Sequence, residues 1–158
     1  MTTRSDEEEA VVVEDPSYLR LSGTPNASED KEAKKKIVSA IVKVFQTLKQ
    51  GRRESVYQNA LKYELSRQFQ TACMIEFPLP IIYEQERVGV SYIDLLLPRK
   101  FFVEVKSTAK LSIKDKLQTM AYSRDLNLKG ILVNFVNRSE ESVEILVVNG
   151  HSIVERLA

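Results

Sequence analysis

From Ser28 onward, apolar and polar residues alternate with two different periods, and each change of period predicts a new element. Ile37, Ile41, Val44, Phe45 and Leu48 recur at intervals of three and four, the spacing of one helix face. Ser28 stands where an N-cap would, with Glu29 and Asp30 in the first turn to complement the helix dipole, and the helix should end near Gly51. A second helix is predicted over residues 53–69, with Val56, Ala60, Leu61 and Leu65 on its apolar side and Glu54, Tyr57 and Gln58 on a neighbouring stripe. The pattern then turns extended. Segments 74–77, 80–83, 88–97 and 101–107, with turns at 84–86 and 98–100, predict an antiparallel meander. A third helix over 112–126, a strand at 131–136 after Gly130, and short strands at 143–148 and 153–156 close the chain. The predicted order is helix, helix, three strands, helix, strand, strand. That is one α/β domain, in the α+β sense of a mixed sheet, over residues 28–158. Residues 1–27 carry acids, Ser, Thr, Pro and Gly without a sustained period, and are expected to form a mobile acidic arm.

Composition narrows the class. With 158 residues and 43% hydrophobic content, the chain is one domain's worth with enough apolar material for a core. No apolar run approaches the ~18–20 residues of a bilayer span, so no membrane association is expected. The acids at positions 6–9, 14 and 15 fit neither a signal nor a transit peptide. Cys73 is the only cysteine, which excludes an intramolecular disulfide and a Cys-based zinc site; a reducing, intracellular compartment is the simpler home, and the thiol is expected to be a small buried group. The net charge of +1 hides an uneven distribution: residues 1–30 hold eight acids and two bases, a net of −6, which leaves +7 for the rest. A basic body suits a polyanionic partner, although a solvated basic surface is common. The acidic arm could solubilise, dock a protein partner, or compete for a basic groove. Lys34–Lys36 read as the solvated face of the first helix.

The candidate chemistry lies in Tyr92-Ile93-Asp94-Leu95-Leu96-Leu97 and Phe101-Phe102-Val103-Glu104-Val105-Lys106. Alternation puts Glu104 and Lys106 on one strand face, with Val103 and Val105 packed behind them. If the hairpin sets Asp94 near Glu104, two carboxylates and an ammonium share a site. Adjacent hard oxygens suit Mg²⁺ or Mn²⁺, and the lysine can orient or deprotonate a water or stabilise charge on a phosphate. The plainer alternative is a cross-strand salt bridge from Lys106 to Asp94 or Glu104. Glu54 and Gln118, on helices before and after the strands, favour the functional reading.

Gly51-x-x-Glu54-x-x-Tyr57, with Ala60-Leu61-x-x-Glu64-Leu65, resembles the signature of the GxxExxY proteins, a branch of the PD-(D/E)XK nuclease superfamily. The likeness continues through Phe77-Pro78-Leu79-Pro80, Arg87-Val88-Gly89, Asp94-Leu95-Leu96, Val103-Glu104-Val105-Lys106-Ser107, Gln118-x-x-x-Tyr122 and Gly130 to Phe135. It implies a restriction-endonuclease-like core in the order α-α-β-β-β-α-β-β. It also implies Asp94 and Glu104 as metal-binding acids, Lys106 as catalytic lysine, Glu54 as a helical acid completing or supporting the metal site, and Gln118 as a residue that orients the lysine or substrate. Tyr57 and Tyr122 match family positions and are expected to pack. Ile93 replaces the superfamily's Pro, and Asp115 stands where the family's His is expected, free to pair with Lys114 or Lys116.

The expected function is therefore Mg²⁺-dependent (or Mn²⁺-dependent) hydrolysis of nucleic acid, with DNA as the first choice. Arg52, Arg53, Lys110, Lys114 and Lys116 flank the site in sequence and could contact phosphates without sequence preference. The alternative is an inactive nuclease-fold module that binds nucleic acid or a protein partner. A homodimer through the first helix and a sheet edge is a further expectation. His151, the only histidine, follows Gly150 on a turn far from the acids and reads as surface. No Gly-rich phosphate loop, nucleophile elbow or zinc spacing is present.

Overall fold

A computed structural model describes residues 27–138 and 142–158. Residues 1–26 of the expected acidic arm lie outside the described residues, and Ala27 opens the first helix. Helix α1 (Ala27–Leu48) and helix α2 (Glu54–Phe69) precede β1 (Met74–Tyr83), β2 (Glu86–Leu97) and β3 (Phe101–Lys106); α3 (Ile113–Leu126) leads to β4 (Gly130–Phe135), β5 (Val143–Asn149) and β6 (Ser152–Arg156). The strands form one six-stranded sheet in sequential order. Only the β3–β4 pair is parallel, as a crossover through α3 requires, so the sheet is mixed.

Helices cover both faces. Ile37, Ala40, Ile41 and Val44 of α1 and Tyr57, Leu61 and Leu65 of α2 pack with Leu95, Leu97, Val103, Val105, Val133 and Phe135. On the other face, Tyr122 and Leu126 of α3 pack with Phe77, Leu79, Ile93, Leu96 and Phe102. Strand β3 lies between these layers, and Phe101 to Val105 are all buried.

Three details depart from the periodicity. Ser28 is already inside α1 and does not cap it; Asp30 instead pairs with Lys34 at 3.1 Å and Lys129 at 3.2 Å, which ties the first turn to the sheet. Tyr57 belongs to the core face of α2 and not to its polar neighbour, because its ring stacks on Phe135 with centroids 4.1 Å apart. The segments 74–77 and 80–83 form a single strand through Pro78 and Pro80. An edge strand tolerates prolines at alternate positions, since every other N–H there has no ladder partner, and those prolines discourage pairing with another chain.

The hairpin turn is Glu84–Gln85, with φ of 47° and 70°, the left-handed pair that matches strand twist. Cys73 is buried, and burial pushes its thiol up to about 11.

Gly130 faces Phe102 across the β3–β4 ladder, and a Cβ there would lie 2.4 Å from the ring's Cζ. Gly130→Ala should therefore cost about 1–3 kcal/mol of stability through overpacking. Urea unfolding reads it, and an unchanged midpoint would show that the Phe102 ring yields without cost.

Candidate active site

The site begins where β2 and β3 separate. Their ladder pairs Leu97 with Phe101, Leu96 with Phe102 and Leu95 with Val103, then stops. The next pair in register would be Asp94 and Glu104. Instead of closing the ladder, their side chains replace it: the Asp94 N–H donates to Glu104 Oε1 at 3.0 Å, and the Val105 N–H donates to Asp94 Oδ2 at 2.8 Å. Each carboxylate thus satisfies a backbone donor that the divergence would otherwise strand.

A backbone irregularity in β1 accompanies the divergence. Glu76, opposite Asp94, has φ of 50°. Ile75 packs with the α1–α2 cluster, whereas Phe77 and Leu79 pack under α3. Leu95 and Ile93 divide the same way on β2. Residues two apart in a regular strand share a face, so both strands switch faces at Glu76 and Asp94. Gln58, 7% exposed on α2, clasps this point by donating to Glu76 Oε1 at 2.9 Å and to the Asp94 carbonyl at 3.1 Å.

Burial and mutual repulsion set the electrostatics. Glu104 is 4% exposed, and loss of solvent, followed by the Asp94 charge, holds its carboxyl well above the usual range. Asp94 is also raised, chiefly by burial and further by Glu76; the Val105 N–H and the Lys106 charge oppose the shift without cancelling it. Each carboxyl group contributes to the shift of the other, as two acids held side by side must. Tyr122 is raised chiefly by burial and further by the charges of Glu104 and Asp94, so α3 covers the same face.

Lys106 shares the strand face with Glu104, but its ion pair is with Asp115 of α3, at 3.8 Å, and not with Asp94 or Glu104. The pairing expected for Asp115 with Lys114 or Lys116 is replaced by this one. Gln118, one turn further along α3, is exposed. Glu54 is likewise exposed, and its Oε1 accepts from the Ser107 N–H at 3.3 Å, so it meets the end of β3 one residue past Lys106 and not the carboxyl pair.

The Gly51, Glu54 and Tyr57 spacing acquires a physical reason here. Gly51, with φ of 93°, supplies the turn between helices. The Tyr57 hydroxyl donates to the Lys49 carbonyl and accepts from the Arg52 N–H at 3.2 Å, which pins that turn against the core. Glu54 then opens α2 in a fixed orientation. Beyond Lys106, buried Asn134 brackets Thr108, accepting from its N–H at 2.9 Å and donating to its carbonyl at 3.1 Å. Arg52, Arg53, Lys110 and Lys114 are all exposed on the two loops and the first turn of α3 that these bonds gather at the carboxyl end of β3. Gln58, Glu76 and Asn134 carry no separate role in the sequence reading; only Gln58, one turn after Glu54, was within reach of a spacing argument.

Two adjacent carboxyl groups short of solvent are a fitting donor set for a hard divalent cation. Among the described residues no group of three or more Asp, Glu, His or Cys side chains gathers, so the set is open and not a closed cage. Magnesium, which retains waters and commonly uses one or two carboxylates plus substrate phosphates, suits such a set.

A mixed sheet flanked by helices thus carries an acid on each of two diverging strands and a lysine two residues past the second acid. The family model of the PD-(D/E)XK nuclease superfamily matches residues 31–146, and the chain belongs to that superfamily, with its restriction-endonuclease-like fold. Nucleases of this superfamily generally use divalent metals and bind nucleic acid. No curated protein and no solved structure matches the chain. Among the described residues, no helix is long and apolar enough to cross a membrane.

The raised carboxyls predict an unusual pH dependence. Their folded pKa values exceed the unfolded ones, so above the ordinary carboxylate range the folded state binds more protons and loses stability as pH rises. Glu104→Gln keeps an acceptor for the Asp94 N–H and removes the charge. In EDTA it should raise the melting temperature at neutral and mildly alkaline pH, with the gain fading near the ordinary glutamate value. Calorimetry across that range checks it; a loss of stability at neutral pH would contradict the assigned cause.

Proposed function

We propose that the protein is a metal-dependent nuclease of the GxxExxY type that hydrolyses phosphodiester bonds, with DNA as substrate. The observation that carries this reading is the close pair of carboxyl groups of Asp94 and buried Glu104, each accepting a backbone N–H from the opposite strand, with the Lys106 ammonium on the same strand face as Glu104. Asp94 and Glu104 would hold Mg²⁺ or Mn²⁺, which supplies Lewis acidity toward a phosphate oxygen and lowers the pKa of a bound water. Lys106 stabilises charge on the phosphate and orients the attacking water. Glu54 supports the site from the end of β3, and Gln118 on α3 orients the lysine or the substrate. Arg52, Arg53, Lys110 and Lys114 contribute salt-dependent phosphate contacts that carry no sequence preference.

A second reading, a nucleic-acid-binding module without activity, draws on one observation: in the free protein the lysine is engaged by Asp115. The two readings part in a cleavage assay on single- and double-stranded DNA and RNA with Mg²⁺ or Mn²⁺. The nuclease reading expects cleavage that falls by about 10²-fold or more in Lys106→Ala and in Asp94→Asn, the size of effect lost with a positioned acid–base or charged group. Binding without cleavage of any substrate, or undiminished cleavage by Lys106→Ala, would leave the binding module as the better account.

A further inference from the structure

Asp115 is doubly committed. As third residue of α3 it completes a capping box: its N–H donates to Ser112 Oγ at 3.0 Å, and its Oδ2 accepts from the Ser112 N–H at 3.0 Å. Its other oxygen, Oδ1, lies 3.8 Å from Lys106 Nζ. The cap fixes the carboxylate on the backbone, so Asp115 cannot follow Lys106 if the lysine moves. The lysine, on a flexible four-carbon stem, can. Both side chains are about one-fifth exposed, at 23% and 18%, which shields the pair from solvent without sealing it. A separation of 3.8 Å is too long for a good hydrogen bond, and the attraction is correspondingly exchangeable.

We propose that Asp115 is a built-in counter-ion for Lys106, a positioning residue that parks the ammonium beside α3 in the free protein and competes with the phosphate of an incoming nucleic acid. The inference rests on the reading that this site receives nucleic acid. A phosphate approaching Lys106 meets a fixed carboxylate of like charge, so Asp115 lowers affinity for the nucleic acid backbone. Lys106 turns to substrate only when a better anion displaces Asp115. The capping bonds and the ion pair use different atoms of one side chain, so the two roles can be separated experimentally.

Asp115→Asn keeps an oxygen that can accept from the Ser112 N–H and removes the charge. Fluorescence anisotropy with a labelled DNA duplex and the matching single strand, on the full chain in EDTA over a series of salt concentrations, measures affinity and its salt dependence. Asp115→Asn should tighten binding by about twofold to fivefold, the worth of a partly exposed ion pair. It should also steepen the salt dependence by about one counterion, because Lys106 becomes one more cation available to phosphate. The gain should vanish in the Lys106→Met background. A merely structural role for Asp115 would not change the salt slope, and Asp115→Ser provides a second, shorter capping side chain if the first variant folds poorly.

If Asp115→Asn binds like wild type while Lys106→Met binds more weakly, the counter-ion role is wrong and the nucleic-acid reading stands. A gain that persists without Lys106 also overturns it, since the cause is then general charge. Failure of every variant and of wild type to bind either DNA form would count against the proposed function and carry this inference with it.

Discussion

The separation of β2 from β3 is the constraint on which the site depends. Pulling two buried strands apart leaves backbone donors without ladder partners, and an unsatisfied buried N–H is costly. Asp94 and Glu104 answer this by exchanging side chain for backbone, each accepting from the opposite strand. The solution repairs the hydrogen bonding but brings two carboxyl groups together away from solvent. The raised pKa values are the measure of that conflict. A divalent cation between the groups would lessen it. Stability and chemistry are thus opposed at the same two residues.

The rest of the molecule holds this strained point in place. Gln58 clasps Glu76 and the Asp94 main chain from α2, and Glu54, one turn earlier on the same helix, bonds the residue after β3. Tyr57 connects that helix to the core by stacking on Phe135 while its hydroxyl ties down the preceding turn. Asn134 then brackets the loop that carries the chain from Lys106 to the cap of α3. Helix and loop contacts therefore converge on the carboxyl end of β3 from both faces of the sheet, which is where α/β folds commonly place ligands.

Much of this was legible in the sequence, and the physical reasons are specific. Period two put Glu104 and Lys106 on one face because β3 is regular and buried on both sides. The order of elements followed from changes of period, and one domain from length and apolar content. What period cannot reveal is its own interruption. Glu76 adopts a left-handed backbone that nothing about a glutamate announces, and with it β1 and β2 exchange faces. Tyr57 was placed one stripe off because an aromatic ring with a polar end can serve either face. The partner of Lys106 was missed for another reason: Asp115 reaches it through a capping box on an element distant in sequence, and local spacing favoured its lysine neighbours.

The central claim is that the two carboxyl groups which mend the divided ladder form a single metal site. Calorimetric titration with Mn²⁺, which binds oxygen sites more tightly than Mg²⁺, tests it most directly. The account predicts that the wild-type chain binds Mn²⁺ and that the Asp94→Ala, Glu104→Ala double variant, confirmed as folded by circular dichroism, does not. Binding that survives in the double variant would place the metal elsewhere and contradict the account.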